Sequence, residues 1–278
     1  SYKFSDGTIL SYDEVASLLT TKGTEGNDSI ETSVVSETIY GYGGNDTILA
    51  GDGNDTVYGG DGDDSIDTGS GDDVIYGGAG NDTIINNNDS SDYIDGGAGN
   101  DNITTFGGHD TIIGGAGDDY INNSGGDDTY IYNLGDGNDT IQDVHGNDVI
   151  EFGEGITTNN IKFRGENNDM IIEFEGNEGS IRVKDCFNNE HNRKIDSYKF
   201  SDGTILSYDE VASLMNEQSE AAVACLDVPN SDISSISTPD INKIIQDMVS
   251  YNVQNDMIVN IASDINKEQE IILTTAQG

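Results

Sequence analysis

Large aliphatic residues recur every nine positions along the first half of the chain, each flanked by polar residues and followed by a glycine-rich segment. Three consecutive units read GYGGNDTIL from Gly41, AGDGNDTVY from Ala50 and GGDGDDSID from Gly59. In the shared pattern G-G-x-G-x-D-x-U-x, where U is a large aliphatic residue, the x-U-x part alternates one apolar residue with two polar ones, as a half-buried strand does. The glycines permit tight backbone reversal because they lack a Cβ atom. The pattern therefore predicts very short strands joined by tight turns.

The nine-residue period survives interruption, which indicates that it is structural. Further units begin at Thr68, Gly77, Gly96, Thr105 and Gly114. Residues 32–40 form a degenerate unit with Glu37 in the aspartate position, and residues 86–95 contain one extra residue around Asp92, after which the frame resumes. Two units make one coil, and a short repeat of this kind predicts coils that stack into a solenoid. The predicted fold class is therefore all-β, with a parallel β-solenoid.

Stacking places equivalent residues of successive coils directly above one another. One predicted apolar column contains Ile30, Ile48, Ile66 and Ile84, and the opposite one contains Ile39, Val57, Ile75 and Ile94. The acidic residues form two further columns, one of Asp28, Asp46, Asp64, Asp82, Asp101 and Asp119 and one of Glu37, Asp55, Asp73, Asp92, Asp110 and Asp128. Neighbouring carboxylates in a column would lie roughly 4.8 Å apart and repel one another if nothing neutralised them.

The charge distribution indicates that this stretch either stays unfolded or is neutralised by cations from outside the chain. The formal net charge is −42, and no Lys or Arg lies between Lys22 and Lys162, whereas residues 23–151 contain 28 Asp and Glu. A compact state with charge of one sign repels itself strongly. Nucleic acid and anionic membranes are disfavoured as direct partners of this region, because both require basic surface. Only 33% of the residues are apolar and 36 are glycine, so the predicted core is thin.

The repeats resemble those of the repeats-in-toxin (RTX) family, whose glycine-rich nonapeptides wind into a calcium-binding parallel β-roll. Calcium takes six to eight oxygen ligands, which carboxylates of adjacent coils and turn carbonyls could supply, whereas zinc and copper do not suit an all-oxygen site. No EF-hand loop with its closing Glu between two helices is present. The interpretation that a Gly/Asp-rich segment is simply flexible and solvated is expected to hold only without calcium. Counting the intact pairs of stacked carboxylates against this ligand requirement gives roughly six to ten calcium ions.

The candidate calcium ligands are the repeat aspartates and the glycines of their turns. The turns after the regular repeats end in Asp139 and Asp148 at wider spacing, and Asp139 is also assigned as a ligand. The predicted aspartates are Asp28, Asp46, Asp55, Asp64, Asp73, Asp82, Asp92, Asp101, Asp110, Asp119, Asp128 and Asp139. The predicted turn glycines are Gly44, Gly53, Gly62, Gly71, Gly80, Gly99, Gly108, Gly117 and Gly126.

The segments around the repeats predict a modular chain. Residues 1–18 (SYKFSDGTILSYDEVASL) recur almost unchanged as residues 197–214, so we expect another copy of the block upstream of Ser1. Residues 1–22 are then the end of a preceding capping module, residues 23–151 the roll, residues 152–215 a β-rich capping module and residues 216–278 a tail. Capping boxes at Ser11–Glu14 and Ser207–Glu210 predict short helices, the second ending near Met215. In the tail, Thr238 and Pro239 begin a predicted helix, and the tail resembles a type I secretion signal.

These features favour a binding and folding role over catalysis. His109, His145 and His191 are interpreted as solvated turn or loop residues, and no H-E-x-x-H, G-x-S-x-G or phosphate-loop motif is present. Cys186 and Cys225 could pair, but they fit no metal spacing. The resemblance implies a secreted, calcium-dependent folding and secretion module, recognised by a type I secretion apparatus through its tail. The alternative is a calcium-dependent adhesin or the receptor-binding region of an RTX cytolysin, with a host-cell surface as partner.

Overall fold

The computed structural model describes residues 2–3, 6–10, 19–176, 179–187 and 194–215. The chain divides into a large unit of residues 1–162 and 169–208 and a second unit of residues 163–168 and 209–278. The expected helix at Ser11–Glu14, His191, Cys225 and the predicted tail of residues 216–278, with Thr238 and Pro239, lie outside the described residues. Within the described part of the chain, no helix is long and apolar enough to span a membrane.

Two sheets of short strands run along the large unit, one for each half of the coil. The first contains, in spatial order, β19 (Asp169–Phe174), β20 (Gly179–Val183), β16 (Gly137–Gln142), β14 (Tyr120–Asn122), β12 (Asn102–Thr105), β10 (Thr83–Asn86), β8 (Ser65–Asp67), β6 (Thr47–Leu49) and β4 (Ser29–Glu31). The second contains β22 (Ile205–Ser207), β21 (Ser197–Lys199), β17 (Val149–Phe152), β15 (Thr129–Tyr132), β13 (Thr111–Ala116), β11 (Tyr93–Ala98), β9 (Val74–Ala79), β7 (Thr56–Asp61), β5 (Thr38–Gly43) and β3 (Thr20–Lys22). An antiparallel pair of β1 (Tyr2–Lys3) and β2 (Ile9–Leu10) precedes them.

The parallel register confirms the predicted roll. Ile48 pairs with Ile30 and Ile66, and on the other sheet Val57 pairs with Ile39 and Ile75. The coils are mostly 18 residues long, lengthen to 19 at the predicted insertion and reach 20 near the end of the array. The two columns of aliphatic side chains are almost completely buried and face each other as a thin core. The strands therefore form because each coil buries one large apolar residue per sheet, and burial of apolar surface is the favourable term.

Close stacking of the coils requires glycine in the turns. All nine glycines predicted as turn residues have positive φ. At Gly71, for example, φ is +132°, and a Cβ atom would overlap the carbonyl oxygen of Gly53 in the preceding coil. A side chain at such a position would be strained by its backbone conformation and would also push the two coils apart.

The C-terminal end of the large unit replaces the thin aliphatic core with an aromatic one. Strands β20 and β21 still pair in parallel with β16 and β17, but β19 and β22 pair antiparallel with β20 and β21. Phe174 stacks on Tyr132 with ring centroids 4.7 Å apart and contacts Phe152 edge-on. The antiparallel strands cover the edges that stacking would otherwise leave for a further coil. The boundaries of the capping module stay a prediction.

The second unit is described only in part. Most of its first segment, residues 163–168, belongs to strand β18 (Ile161–Glu166). In this strand Arg164 Nη1 lies 2.6 Å from Glu166 Oε2. The helix predicted after the second capping box, α1, is present over residues 208–215, and its predicted end near Met215 stays a prediction because the described residues stop there.

Candidate calcium sites

Two ladders of acidic residues follow the edges of the roll, and each residue directly precedes a strand except Asp139, which lies within β16. The first ladder consists of Asp28, Asp46, Asp64, Asp82, Asp101, Asp119 and Asp139, and the second consists of Glu37, Asp55, Asp73, Asp92, Asp110, Asp128 and Asp148. Every aspartate in them from Asp46 to Asp148 is buried, whereas Asp28 and Glu37, at the start, are partly exposed. The structure thus brings the predicted aspartates together in the predicted columns and adds Asp148, which sequence reasoning left unassigned. Their assignment as calcium ligands stays a prediction.

One oxygen of each buried ladder carboxylate is fixed by the neighbouring coil. The backbone N–H of Asp46 donates to Asp64 Oδ1 at 2.8 Å, and that of Asp55 donates to Asp73 Oδ1 at 2.8 Å. The same bond recurs along both ladders as far as Asp128 N–H to Asp148 Oδ1 at 3.1 Å. Hydrogen bonds to a charged acceptor are among the stronger ones, so they hold each carboxylate in one orientation.

The second oxygen of these carboxylates lacks a partner. Among the residues that the structure describes, nothing donates a hydrogen bond to the buried Oδ2 atoms of nine aspartates, namely Asp46, Asp55, Asp64, Asp73, Asp82, Asp101, Asp110, Asp119 and Asp128. A buried polar atom without a partner is costly, and a buried charge without one is more so. Oriented, partnerless carboxylate oxygens are the donors that calcium prefers, so the residues present fit this ion. Asp28 differs, because its Oδ2 accepts hydrogen bonds from the Thr24 backbone and hydroxyl.

Burial also makes the bare ladders hard to ionise. Burial is the largest of the effects that together raise the pKa of Asp73, Asp101 and Asp110 to about 7. The charges of neighbouring ladder carboxylates make a smaller contribution to the same shift. The pKa values of Asp64, Asp82, Asp119 and Asp128 rise to about 6 for the same main reason, and that of Asp139 to about 8. Removal from water disfavours the charged form of a carboxyl group. In a folded roll without cations, these carboxyl groups would therefore be partly protonated, whereas in a roll with bound cations they would be ionised.

Glycines that were not predicted as site residues keep space open beside the first ladder. A Cβ atom at Gly59 would lie 2.5 Å from Asp64 Oδ2 and would overlap the carbonyl oxygen of Gly77. Gly41, Gly77 and Gly96 have the same surroundings one coil before, one coil after and two coils after Gly59. A carboxylate oxygen and a backbone carbonyl oxygen thus converge where only glycine fits, as the proposal of turn carbonyl ligands requires. The G-G start of each unit was the sequence signal for this column.

The second ladder has polar side chains at the equivalent position in every coil except that of Ala50, and sequence reasoning missed them. The column consists of Thr32, Ala50, Thr68, Asn86, Thr105, Asn123 and Asp143. All but Thr32 are buried. Thr68, Thr105 and Asn123 lie close enough to Asp73, Asp110 and Asp128 to lower the pKa of each, against the larger effect of burial. The two edges of the roll therefore offer different surroundings to a cation.

An outer ladder accounts for the residue before each aspartate, which the repeat pattern treats as variable. Its side chain accepts a hydrogen bond from the backbone N–H of its counterpart in the next coil, as in Asn81 N–H to Asp63 Oδ1 at 2.8 Å. His109 follows the same rule, because its Nδ1 accepts from the Asp127 N–H at 3.1 Å. The position is restricted to short acceptors, and this restriction was visible in the sequence as a run of Asn, Asp, Ser and His.

Comparison with known families identifies these repeats. The RTX calcium-binding nonapeptide repeat family matches residues 35–66, 58–90, 86–121, 95–130 and 131–158, and the haemolysin-type calcium binding protein related domain matches residues 169–210. The roll is an RTX calcium-binding repeat region. Its cofactor is therefore calcium, as predicted. In this chain the RTX repeats form the two ladders described above, with buried carboxylates and no Lys or Arg along the array.

Individual proteins similar to this RTX region are related over limited stretches. The iron-regulated protein FrpA of Neisseria meningitidis serogroup C is 33% identical over 100 residues, which cover 34% of this chain and 9% of FrpA. The crystal structure of the extracellular lipase LipA from Serratia marcescens is 15% identical and covers 64% of this chain and 38% of the lipase, with a TM-score of 0.26. This chain thus spans a small part of each of these proteins.

Calcium supplies positive charge and several coordination positions to the RTX ladders when it is bound. The part played by the protein is to hold pairs of carboxylates from adjacent coils in a fixed orientation, with Oδ1 locked by a backbone N–H and Oδ2 left without a protein partner. Because each hydrogen bond joins one coil to the next, the residues predicted to bind the ion also join the coils. Calcium held by these residues would therefore couple metal binding to coil stacking.

Proposed function

We propose that this RTX region is a calcium-dependent folding and export module that is disordered without calcium and folds on calcium binding outside the cell. The observation that carries the proposal is the set of nine buried, partnerless aspartate oxygens in an array without any Lys or Arg. A folded chain in that state would have to leave these charges uncompensated or protonate them. The unfolded chain avoids both costs, because its carboxylates stay hydrated.

The difference in calcium concentration across the cell envelope would then decide where the chain folds. Extracellular calcium-binding modules typically have dissociation constants of about 10⁻⁴–10⁻³ M, far above cytosolic calcium levels. Binding to the folded state alone adds to folding stability by mass action. RTX repeats are typical of secreted proteins, which supports an extracellular location and passage through a type I apparatus, with the tail of residues 216–278 as the proposed signal. Under this proposal the region acts by folding and has no catalytic role.

The test is a calcium titration followed by far-ultraviolet circular dichroism, with magnesium as the control ion. We expect a cooperative change from disordered to β-rich spectra near millimolar calcium and none with magnesium. A matched pair of variants sharpens the test, because the buried Asp73 and the exposed Asp72 are neighbours. Asp73→Asn should raise the calcium midpoint several-fold or abolish folding, whereas Asp72→Asn, with the same change in charge, should leave it within about two-fold. A β-rich spectrum in EDTA, or equal effects of the two substitutions, would contradict the proposal.

A calcium-dependent adhesive or receptor-binding surface is a second candidate. Tyr40, Tyr58 and Tyr76 stack in register on the outside of the second sheet, with ring centroids 4.9 and 5.0 Å apart. Tyr58 remains 37% exposed, so an aromatic stripe faces solvent on an acidic surface. Exposed tyrosines are enriched where proteins bind partners. Cell binding that needs calcium and is lost in Tyr58→Ser, at an unchanged calcium midpoint for folding, would support this function over a folding module alone.

A further inference from the structure

A third carboxylate joins the second ladder at its C-terminal end. Asp143 directly follows β16, at the column position that carries Asn123 one coil earlier. Carboxylate oxygens of Asp128, Asp143 and Asp148 all lie within 4.8 Å of one another, and all three residues are buried. In the preceding coils this column position carries only uncharged residues. The last coil of the ladder thus presents three carboxylates where the other coils present two.

Asp143 has one carboxylate oxygen that is hydrogen-bonded and one that is buried without a partner. Its Oδ2 accepts a hydrogen bond from the Tyr130 hydroxyl at 2.6 Å, whereas its Oδ1 is buried and has no hydrogen-bond partner among the described residues. Asp143 is 2% exposed, so solvent does not supply the missing partner. A phenol that donates to one oxygen of a buried carboxylate fixes the direction of the other. Asp128 presents its Oδ2 in the same way, since that atom is also buried without a partner.

Among the described residues no Lys or Arg forms an ion pair with the cluster, although the backbone N–H groups of Val144 and His145 lie close to Asp143 and His109 lies close to Asp128. The backbone N–H of Asp148 donates to Asp196 Oδ2 at 3.3 Å, and Asp196 Oδ1 in turn pairs with Lys194 Nζ at 2.9 Å. The charge of Lys194 is therefore balanced by Asp196. Three buried carboxylates without a matching cation would be strongly unfavourable.

We propose that Asp128, Asp143 and Asp148 form a distinct site for calcium or a trivalent lanthanide, tighter than the repeat sites, with Asp143 as the additional ligand. More carboxylate ligands on a rigid frame bind a hard cation more tightly. Tyr130 is a positioning residue, because it contacts Asp143 and would hold the ligand oxygen in place. The site does not depend on whether the bare chain is unfolded, so it stands apart from the proposed folding role.

The test follows calcium release from the folded chain. Calcium-saturated protein is mixed with an excess of fluorescent chelator in a stopped-flow instrument. We expect one ion per chain to leave at least about ten-fold more slowly than the others, since the third carboxylate strengthens only that site. Asp143→Asn, which gives this coil the residue type found at Asn123, should abolish the slow phase. Asp72→Asn, which makes the same change in charge at an exposed position outside the ladders, should retain it. A slow phase that survives Asp143→Asn, or the lack of one in the unsubstituted chain, would overturn the proposal.

Circular dichroism at saturating calcium checks that the Asp143→Asn chain folds. If it does not fold, terbium bound to the unsubstituted chain decides the question. The first equivalent of terbium should emit strongly when tyrosine is excited, because the Tyr130 hydroxyl contacts a ligand of the site. Tyr130→Phe should remove most of that emission, and unchanged emission would overturn the proposal. If the chain proves to be folded in EDTA, the proposed folding role fails, but the slow ion and its dependence on Asp143 remain measurable.

Discussion

The number of protons released when calcium binds distinguishes a chain that folds on calcium from a roll that is already formed. The perturbation is the addition of saturating calcium at pH 6.5. In a bare roll, burial raises the pKa of Asp73, Asp101 and Asp110 to about 7. It raises the pKa values of four other ladder aspartates to about 6 and that of Asp139 to about 8. These eight groups would have to lose their protons before a cation could bind.

The sign of the pH effect follows from the direction of these shifts. A carboxyl group with a raised pKa in the folded state stabilises the bare roll while it is protonated. That stabilisation is complete below the unfolded pKa near 4 and is lost as pH rises through the folded values of about 6 to 8. At pH 6.5 the eight groups of a bare roll would hold about four protons, and the ladder residue Asp148, whose pKa burial raises to about 8, would hold about one more. An unfolded chain with ordinary aspartate pKa values would hold almost none.

The assay is a pH-stat titration in unbuffered salt solution. If the chain folds only on calcium, the ladder aspartates are ionised both before and after binding, and we expect fewer than about two protons per chain at pH 6.5. The calcium midpoint should also change little between pH 6.5 and pH 8. Release of about five protons, with a midpoint that falls as pH rises over that range, would show a preformed roll and refute the reasoning. Magnesium at the same ionic strength controls for non-specific effects of charge.

Two further predictions concern the turns and the core. Gly59→Ala should raise the calcium midpoint at least about ten-fold or prevent folding, because its Cβ would overlap the Gly77 carbonyl and crowd Asp64 Oδ2. Gly26→Ala, where the nearest atom is Thr24 Oγ1 at 3.9 Å, is the control and should have little effect in the same circular dichroism titration. Ile75→Ala removes a side chain that is 0% exposed and should cost about 2–5 kcal/mol. Spread over roughly six to ten ions, that cost should shift the calcium midpoint by only about 1.4- to 4-fold, so a much larger shift would mean that few ions are coupled to folding.

The sequence was sufficient to predict the roll because its period is tied to the coil. Ile48 and Ile66 are equivalent positions of the repeat, and in a parallel solenoid equivalent positions must pair. The single extra residue near Asp92 was visible as a shift of frame, and the structure accommodates it in a turn while Asp73 and Asp92 keep their ladder hydrogen bond. Local strand propensity alone could not have given this result, since most strands contain only three to six residues.

The parts of the site that sequence reasoning missed depend on which side chains share a coil edge. Thr68 and Thr105 appear in the repeat as substitutes for a turn glycine, and only the stacked structure places them beside Asp73 and Asp110. Asp143 was harder to detect, because it lies where the coil lengthens to 20 residues and the nonapeptide frame is no longer regular. Where the nine-residue period is lost, residues can no longer be assigned to repeat positions from the sequence, although the ladder of hydrogen bonds continues to Asp148.

The absence of basic residues along the array follows from the stacking itself. In a column of equivalent positions, a Lys or Arg placed beside one ladder carboxylate would need room that the glycine column does not leave, as the crowding at Gly59 shows. A long cationic side chain would also fix the charge balance permanently, so that the chain could fold wherever it was synthesised. When calcium supplies the positive charge instead, the ladder oxygens are oriented by the protein but have no protein partner. The stability of the fold then depends on the calcium concentration around the chain. Each added coil brings two more ladder aspartates, so a longer array should respond to calcium more steeply without any change in its repeat sequence.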